Sequence, residues 1–241
     1  MTEVLQVGNR IITAAEIIPL LVEYQMLPQL IREALVDQAI APITCTPEEK
    51  ALACQQFYQQ NQLNSETALQ EWQHRYRMTL AQLENLALRQ LKIEKFKQAT
   101  WENKLESYFL SRKGQLDKVF FSLIRIRPQE AELAQELYFR IQEEEQSFAE
   151  LAREYAQGRE AQTGGLNGPV ELGSLHPILA RMLSVSQPGQ LWPPTRLEEW
   201  VIIVRLEKFI PVQMDEAMRQ RLLNELFSTW LQEQVMSAAI A

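Results

Sequence analysis

Histidine and cysteine are scarce in this sequence of 241 residues, which holds two of each. The cysteines, Cys45 and Cys54, have no histidine near them, and their spacing does not fit a zinc site. The histidines, His74 and His176, lie far apart in the sequence. A Ser-His-Asp or Cys-His centre therefore has little to be built from, and we expect no metal and no cofactor.

The sequence also lacks an excess of basic residues and any long apolar run. Lys and Arg number 24 against 31 Asp and Glu, and the net charge of −7 argues against a nucleic-acid partner. Residues 1–4 carry no basic side chain, and the apolar run from Ile11 to Val22 is interrupted by Glu16 and Pro19. Neither a secretory signal nor a membrane span is predicted, so the expected location is cytoplasmic.

The first 112 residues are predicted to be almost entirely helical, after a short extended piece over Val4 to Ile12 with a turn at Gly8. Helix starts are indicated by residues whose side chains cap the first turn, namely Thr13, Thr46, Asn64 or Ser65, and Thr79. The pattern predicts a separate last helix from Trp101 to Arg112, followed by a break at Lys113-Gly114. This part of the chain is expected to form a helical module.

The pattern changes after residue 112. An apolar run over Val119 to Ile126 predicts a strand, and two segments with helical periodicity follow it. A glycine turn over Thr163 to Gly168 and a short helix over Ser174 to Leu183 come next. Leu191-Trp192 is strand-like and precedes two prolines, and a second apolar strand over Trp200 to Leu206 follows. A mixed α and β domain is therefore predicted for residues 113–211.

Residues 212–241 return to a helical pattern. A broad apolar face runs from Met218 to Leu231 and is too wide to stand alone in water. The N-terminal helices are its expected partner, so the mixed domain is predicted to be inserted into a discontinuous helical module. The resulting fold class is α+β, with a small antiparallel sheet and helices in the inserted domain.

The ordered motifs of residues 113–210 resemble the parvulin family of peptidyl-prolyl isomerases. These motifs are Phe148-x-x-Leu151-Ala152, then the glycines 164, 165 and 168, then an apolar strand that ends in Arg205-Leu-Glu207. The flanking helices resemble the SurA-type foldase chaperones, in which helices surround a parvulin domain. The resemblance implies a foldase that acts on unfolded or proline-containing polypeptides.

The sequence departs from the parvulin pattern at its histidines. Leu123 and Val201 occupy the positions of the histidines of the first and last strands, and Gly158 falls where many members carry cysteine or aspartate. The family's apolar floor aligns with Leu175 and Leu179. The resemblance therefore implies a substrate pocket at Leu123, Leu175, Leu179 and Val201, with residues 123 and 201 facing each other across its floor and the catalytic residues unknown. The open alternative is that all four side chains are ordinary core.

Prolyl isomerisation makes and breaks no covalent bond, because its barrier is the loss of amide resonance. A catalyst only has to bind the twisted amide more tightly than the planar forms, and an apolar pocket favours the less polar twisted form. Loss of the histidines is therefore expected to weaken catalysis without forbidding it. The first hypothesis is a parvulin-type foldase with weak or lost catalysis.

The second hypothesis is a non-catalytic peptide-binding chaperone or a secretion or assembly accessory protein. In that case an apolar groove of the helical module, near Met26, Leu27, Leu30 and Ile31, is the expected client site. The open alternative is that these four side chains are core.

Overall fold

A computed structural model describes residues 3–238 and separates the chain into two compact units. The first, helical unit extends to Leu105 and resumes at Glu216, and the second unit comprises Glu106–Asp215. The boundaries predicted from sequence were 112/113 and 211/212. The first observed boundary, after Leu105, lies inside one continuous helix over Leu80–Leu116, which runs through Gly114 without a break.

The helical unit begins with a hairpin of β1 (Glu3–Val7) and β2 (Arg10–Thr13), as its sequence predicts. Helix α1 (Ala14–Glu23) starts at a capping box in which Glu16 receives hydrogen bonds from Thr13. These bonds satisfy donors at the start of the helix that have no partner inside it.

Four further helices complete this unit. They are α2 (Leu27–Ile40), α3 (Pro47–Gln60), α4 (Glu66–Tyr76) and α9 (Glu216–Ser237), together with the first part of α5 (Leu80–Leu116). Thr46, Ser65 and Thr79 cap α3, α4 and α5, so these predicted starts are confirmed. The predicted separate helix over residues 101–112 is wrong, because α5 continues through it without a break.

The C-terminal helix α9 packs inside the helical unit. Leu231 of α9 lies in one buried cluster with Val36 and Ile40 of α2 and Ile93 of α5. Aromatic rings from α5 and α9 surround this cluster, namely Phe96, Trp101, Phe227 and Trp230. Burial of this face accounts for the apolar pattern that predicted it.

The second unit is built on a four-stranded antiparallel sheet. Its strands are β3 (Lys118–Ile126), β4 (Leu166–Glu171), β5 (Leu191–Leu197) and β6 (Trp200–Ile210), in the order β4-β3-β6-β5. The helices are α6 (Ala131–Gln142), α7 (Phe148–Tyr155) and α8 (Pro177–Ser184). Strand β4 was predicted only as part of a glycine turn, and the helix predicted from Ser174 begins at Pro177, after a short 3-10 turn over Leu172–Ser174.

Both faces of the sheet are covered, and each cover forms its own core. Helices α6 and α7 pack with Ile124, Ile126, Val201 and Ile203, and we call this the α6/α7 face. Helix α8 packs on the opposite side, which we call the α8 face; its buried members are Val119, Phe121, Leu172, Leu179, Met182, Leu183, Ile202, Val204 and Leu206. Alternate residues of β3 and β6 thus point to different cores.

Candidate functional site

Three of the four side chains predicted to bind substrate lie on the α8 face. Leu179 is buried at 5% exposure, which agrees with a core role. Leu123 and Leu175 are half-buried and pack against the same cluster. An apolar surface that is buried at its base and open at these two leucines is therefore the candidate peptide site.

The fourth residue, Val201, lies on the other side of the sheet, and this corrects the expectation that it faces residue 123. In the β3–β6 register, Leu123 pairs with Val204, whereas Val201 pairs with Ile126. Val201 is 8% exposed and belongs to the α6/α7 core. The strands do lie side by side as predicted, but the difference of three residues in register sends the two side chains to opposite faces.

Two tryptophans border the candidate site and were not singled out from the sequence. Trp192 of β5 and Trp200 of β6 are half-buried and pack against the α8-face cluster. The indole N–H of Trp192 donates to the Ser186 hydroxyl at 2.7 Å, which fixes the ring. Partly exposed aromatic side chains beside an apolar surface are typical of peptide-binding sites, and the alternation of β6 was the signal that could have placed Trp200 there.

An ion pair between Arg125 and Glu160 lies beside Trp200. The Arg125 guanidinium donates from Nε to Oε1 of Glu160 at 2.9 Å and from Nη2 to Oε2 at 2.5 Å. Glu160 is buried at 4% exposure, while about a third of the Arg125 side chain is exposed. The Arg125 Cζ lies 5.7 Å from the Trp200 ring centroid. The hydrogen bond to Glu160 raises the pKa of Arg125 above its ordinary value, so the guanidinium stays charged.

The glycine turn attaches this ion pair to the strand that carries Leu123. The Gly165 N–H donates to the Glu160 carbonyl at 2.8 Å, and the Leu123 N–H donates to the Gly165 carbonyl at 2.9 Å. Gly164 and Gly165 have φ values of +63° and +86°, as predicted for turn formers. The turn therefore links the backbone of Glu160 to the backbone of Leu123 through Gly165.

Gly158 is tied to the same ion pair. A Cβ at this position would overlap Oε2 of Glu160 and Nη2 of Arg125. A side chain at this position, which the parvulin resemblance assigns to cysteine or aspartate, would thus have to displace the ion pair.

His176 lies at the start of α8, between Leu175 and Leu179. Its Nδ1 accepts a hydrogen bond from the Ile178 N–H at 3.3 Å, and its Nε2 lies 3.3 Å from Oε1 of Glu198. The imidazole is thus a partly exposed helix cap, not a group pointing at the α8-face floor.

The described part of the chain offers little other chemistry. Within residues 3–238 no group of three or more His, Cys, Asp or Glu side chains is placed to hold a metal ion. Over the same residues, no helix has both the length and the hydropathy needed to cross a membrane. The features available for function at this site are an apolar surface, two indole rings and one fixed guanidinium.

Comparison with known proteins bears on the same segment. Residues 124–208 match the family described as the PPIC-type PPIase (peptidyl-prolyl isomerase) domain, or rotamase. Peptidylprolyl isomerase PrsA from Bacillus cereus is 15% identical, with a TM-score of 0.53, and the match covers 100% of this chain and 94% of that chain. No curated protein matches the sequence. The chain is thus similar in fold to that PrsA protein.

Two further solved structures are similar to this chain. PrsA from Bacillus anthracis is 18% identical with a TM-score of 0.48, and the match covers 90% of this chain and 99% of that chain. A SurA-like chaperone of Campylobacter jejuni is 15% identical with a TM-score of 0.37, and the match covers 100% of this chain and 99% of that chain.

Proposed function

Since residues 124–208 match the PPIC-type PPIase domain, we propose that this protein is a parvulin-type foldase that binds unfolded or proline-containing polypeptides and isomerises their prolyl bonds weakly. The observation that carries the proposal is the open part of the α8 face, where Leu123, Leu175 and Trp200 lie partly exposed above a buried apolar base. Such a surface binds a proline ring and its apolar neighbours without a polar partner.

Weak catalysis follows from the chemistry of the reaction. Twisting the prolyl amide disrupts its resonance and lowers its polarity, so an apolar surface binds the twisted form better than water does. The positions that resemble the parvulin histidines hold Leu123 and Val201, and Val201 lies in the opposite core. The α8 face therefore supplies desolvation but no imidazole.

An isomerisation assay on a short peptide with one leucyl-prolyl bond tests this proposal. The informative variant is Leu175→Arg, which places a charge on the open apolar surface. Its matched control is Ile178→Arg on α8, whose side chain is already 46% exposed. We expect the wild type and the control to accelerate the reaction above background and to bind the peptide, and Leu175→Arg to lose both. Equal peptide affinity in all three proteins contradicts a site at this surface.

A non-catalytic peptide-binding chaperone is the second candidate function. It is favoured by the exposed apolar residues of the helical unit, including Met26 at 52% and Leu30 at 46% exposure. Suppression of aggregation of an unfolded client, without any rate enhancement on the proline peptide, identifies this alternative. If the paired change Met26→Ser and Leu30→Ser abolishes that suppression, the client site lies on the helical unit.

A cytoplasmic location stays a prediction. Fractionation of cells that produce the protein from its own gene tests it.

A further inference from the structure

Arg125 has hydrogen-bond donors that the folded protein does not use. Glu160 accepts from Nε and from one N–H of Nη2. Among residues 3–238, no acceptor for the N–H groups of Nη1 is present. An arginine cannot lose its charge in a protein, and its N–H groups lie in one rigid plane. A charged donor with a fixed direction is therefore available to a ligand.

This donor lies next to the open apolar surface. Arg125 follows Leu123 by two positions on β3, so both side chains leave the sheet on the same face, about 7 Å apart along the strand. Trp200 packs against the α8-face cluster and also lies against the guanidinium. A proline ring seated on Leu123 would thus place its amide bond within the reach of the Arg125 side chain.

A hydrogen-bond donor can distinguish the twisted prolyl amide from the planar one. In the planar amide the nitrogen lone pair is delocalised into the carbonyl group and accepts no hydrogen bond. Twisting about the C–N bond localises that pair on nitrogen, which then becomes an acceptor. A donor directed at the nitrogen is therefore engaged only in the transition state, and only such an interaction raises the rate of the bound substrate.

We propose that Arg125 is the catalytic residue of this site, donating from its free N–H groups to the prolyl nitrogen as the amide twists. No covalent bond forms or breaks and no proton is transferred, so no co-reactant is needed. The proposal rests on the proposed foldase function, because it assumes that the proline peptide binds to the α8 face.

Three neighbours position the guanidinium. Glu160 holds it by two parallel hydrogen bonds, which fix its plane as well as its place. Trp200 lies against it and restricts its rotation. Gly158 leaves room for the pair, since any side chain there would overlap both partners. The ion pair thus provides a fixed polar group in a domain whose histidine positions are apolar.

The main test separates the bound-state rate from affinity. In the variant Arg125→Gln with Glu160→Gln, no unpaired buried charge remains and the side chains are similar in size. The matched control is Arg159→Gln, an exposed arginine next to Glu160. Exchange NMR on the leucyl-prolyl peptide gives the cis–trans rate of the bound peptide, and the same titration gives its Kd.

We expect the paired variant to lower the bound-state rate by about tenfold or more, with the Kd changed by less than about twofold. Arg125→Lys is expected to lose most of the rate as well, because an ammonium cannot make the bidentate contact that sets the direction. Glu160→Gln alone is expected to give an intermediate rate at the wild-type Kd, as a positioning role requires. Arg159→Gln should match the wild type.

Several results would overturn the assignment. A folded paired variant that keeps the wild-type rate refutes it, and so does a Kd that rises in proportion to the loss of rate. A wild type that binds the peptide and suppresses client aggregation without accelerating isomerisation also refutes the role of Arg125, but leaves the chaperone alternative standing. Failure of the wild type in binding and in aggregation suppression refutes the proposed function itself.

Discussion

Replacement of Gly165 by alanine should weaken the second unit through both backbone conformation and packing. Gly165 has a φ of +86°, where a Cβ is disfavoured. An added Cβ would lie 2.9 Å from Cε1 of Phe148, 3.1 Å from the Ala152 Cβ and 3.1 Å from the Leu123 carbonyl oxygen. Two of these atoms belong to the buried α6/α7 core, so the neighbours have little freedom to move.

The magnitude follows from these two contributions. A left-handed conformation costs a residue with a Cβ about 1–2 kcal/mol. Overfilling a packed core costs about 1–3 kcal/mol more, so the free energy of unfolding should fall by roughly 2–5 kcal/mol. In urea this lowers the unfolding midpoint by about 1 M or more.

Two other glycines of the same unit separate the contributions. Gly189 has the same φ of +86° but no atom within 4 Å of the place where a Cβ would stand, so Gly189→Ala should cost only the conformational part, about 1–2 kcal/mol. Gly114 lies in α5 with open space around it, and Gly114→Ala should stabilise by about 0.5–1 kcal/mol. Urea denaturation followed by tryptophan fluorescence measures all three. Equal midpoints for the Gly165 and Gly189 variants would refute the close-packing argument.

Three further predictions concern other parts of the molecule. Leu231 is 1% exposed, so Leu231→Ala should lower the free energy of unfolding measured in urea by about 2–5 kcal/mol. Met236 lies on the same helix at 81% exposure, so Met236→Ala should change it by less than about 0.5 kcal/mol. Similar losses in both variants would contradict the packing of α9. The side chains of Leu123 and Val201 lie in different cores, so Leu123→His and Val201→His should have additive effects on stability and on the isomerisation rate in a double-mutant cycle. A gain in rate seen only in the double variant would contradict the β3–β6 register. Hydrogen bonds from Ser147 in the capping box lower the pKa of Glu150. The stabilisation by the Glu150 carboxylate is therefore present above the ordinary glutamate pKa and is lost as the pH falls through the lowered pKa. The melting temperature of Glu150→Gln should lack this part of the acid dependence, and a pH profile equal to that of the wild type would refute the prediction.

Sequence patterns predicted the elements whose local signals agree with their tertiary environment. Strands β3 and β6 were predicted because central strands buried on both faces are continuous apolar runs. Helix α7 was predicted from its apolar stripe, and it begins at a capping box of Ser147 that the sequence reading did not single out. The helix starts at Thr46 and Ser65 were predicted from capping residues for the same reason.

Strand β4 could not be predicted with the same rules, and of β5 only the strand-like start at Leu191-Trp192 was recognised. Strand β4 contains Asn167, Gly168 and Pro169, and β5 contains Pro193 and Pro194, all residues that are depleted in strands. Both strands lie at the edges of the sheet, where one side of the backbone has no partner strand, so proline is tolerated there. A local signal for a turn was thus overridden by position in the sheet.

The candidate site was predicted only in part because strand register depends on tertiary pairing. Leu123, Leu175 and Leu179, which the parvulin resemblance grouped, pack with one cluster. The face of Val201 depends on the β3–β6 register, which has an irregularity at Phe120/Phe121. The Arg125–Glu160 pair joins residues that are 35 positions apart and match no motif. Only the folded chain brings them together.

The central claim is that the open part of the α8 face binds the proline-containing client. Methyl NMR of the full chain, labelled at Leu, Val and Met and titrated with the leucyl-prolyl peptide, tests it most directly. The account predicts that the methyl signals of Leu123 and Leu175 shift on binding while that of Val201, in the opposite core, does not. Shifts confined to Met26 and Leu30, or centred on Val201, would contradict it.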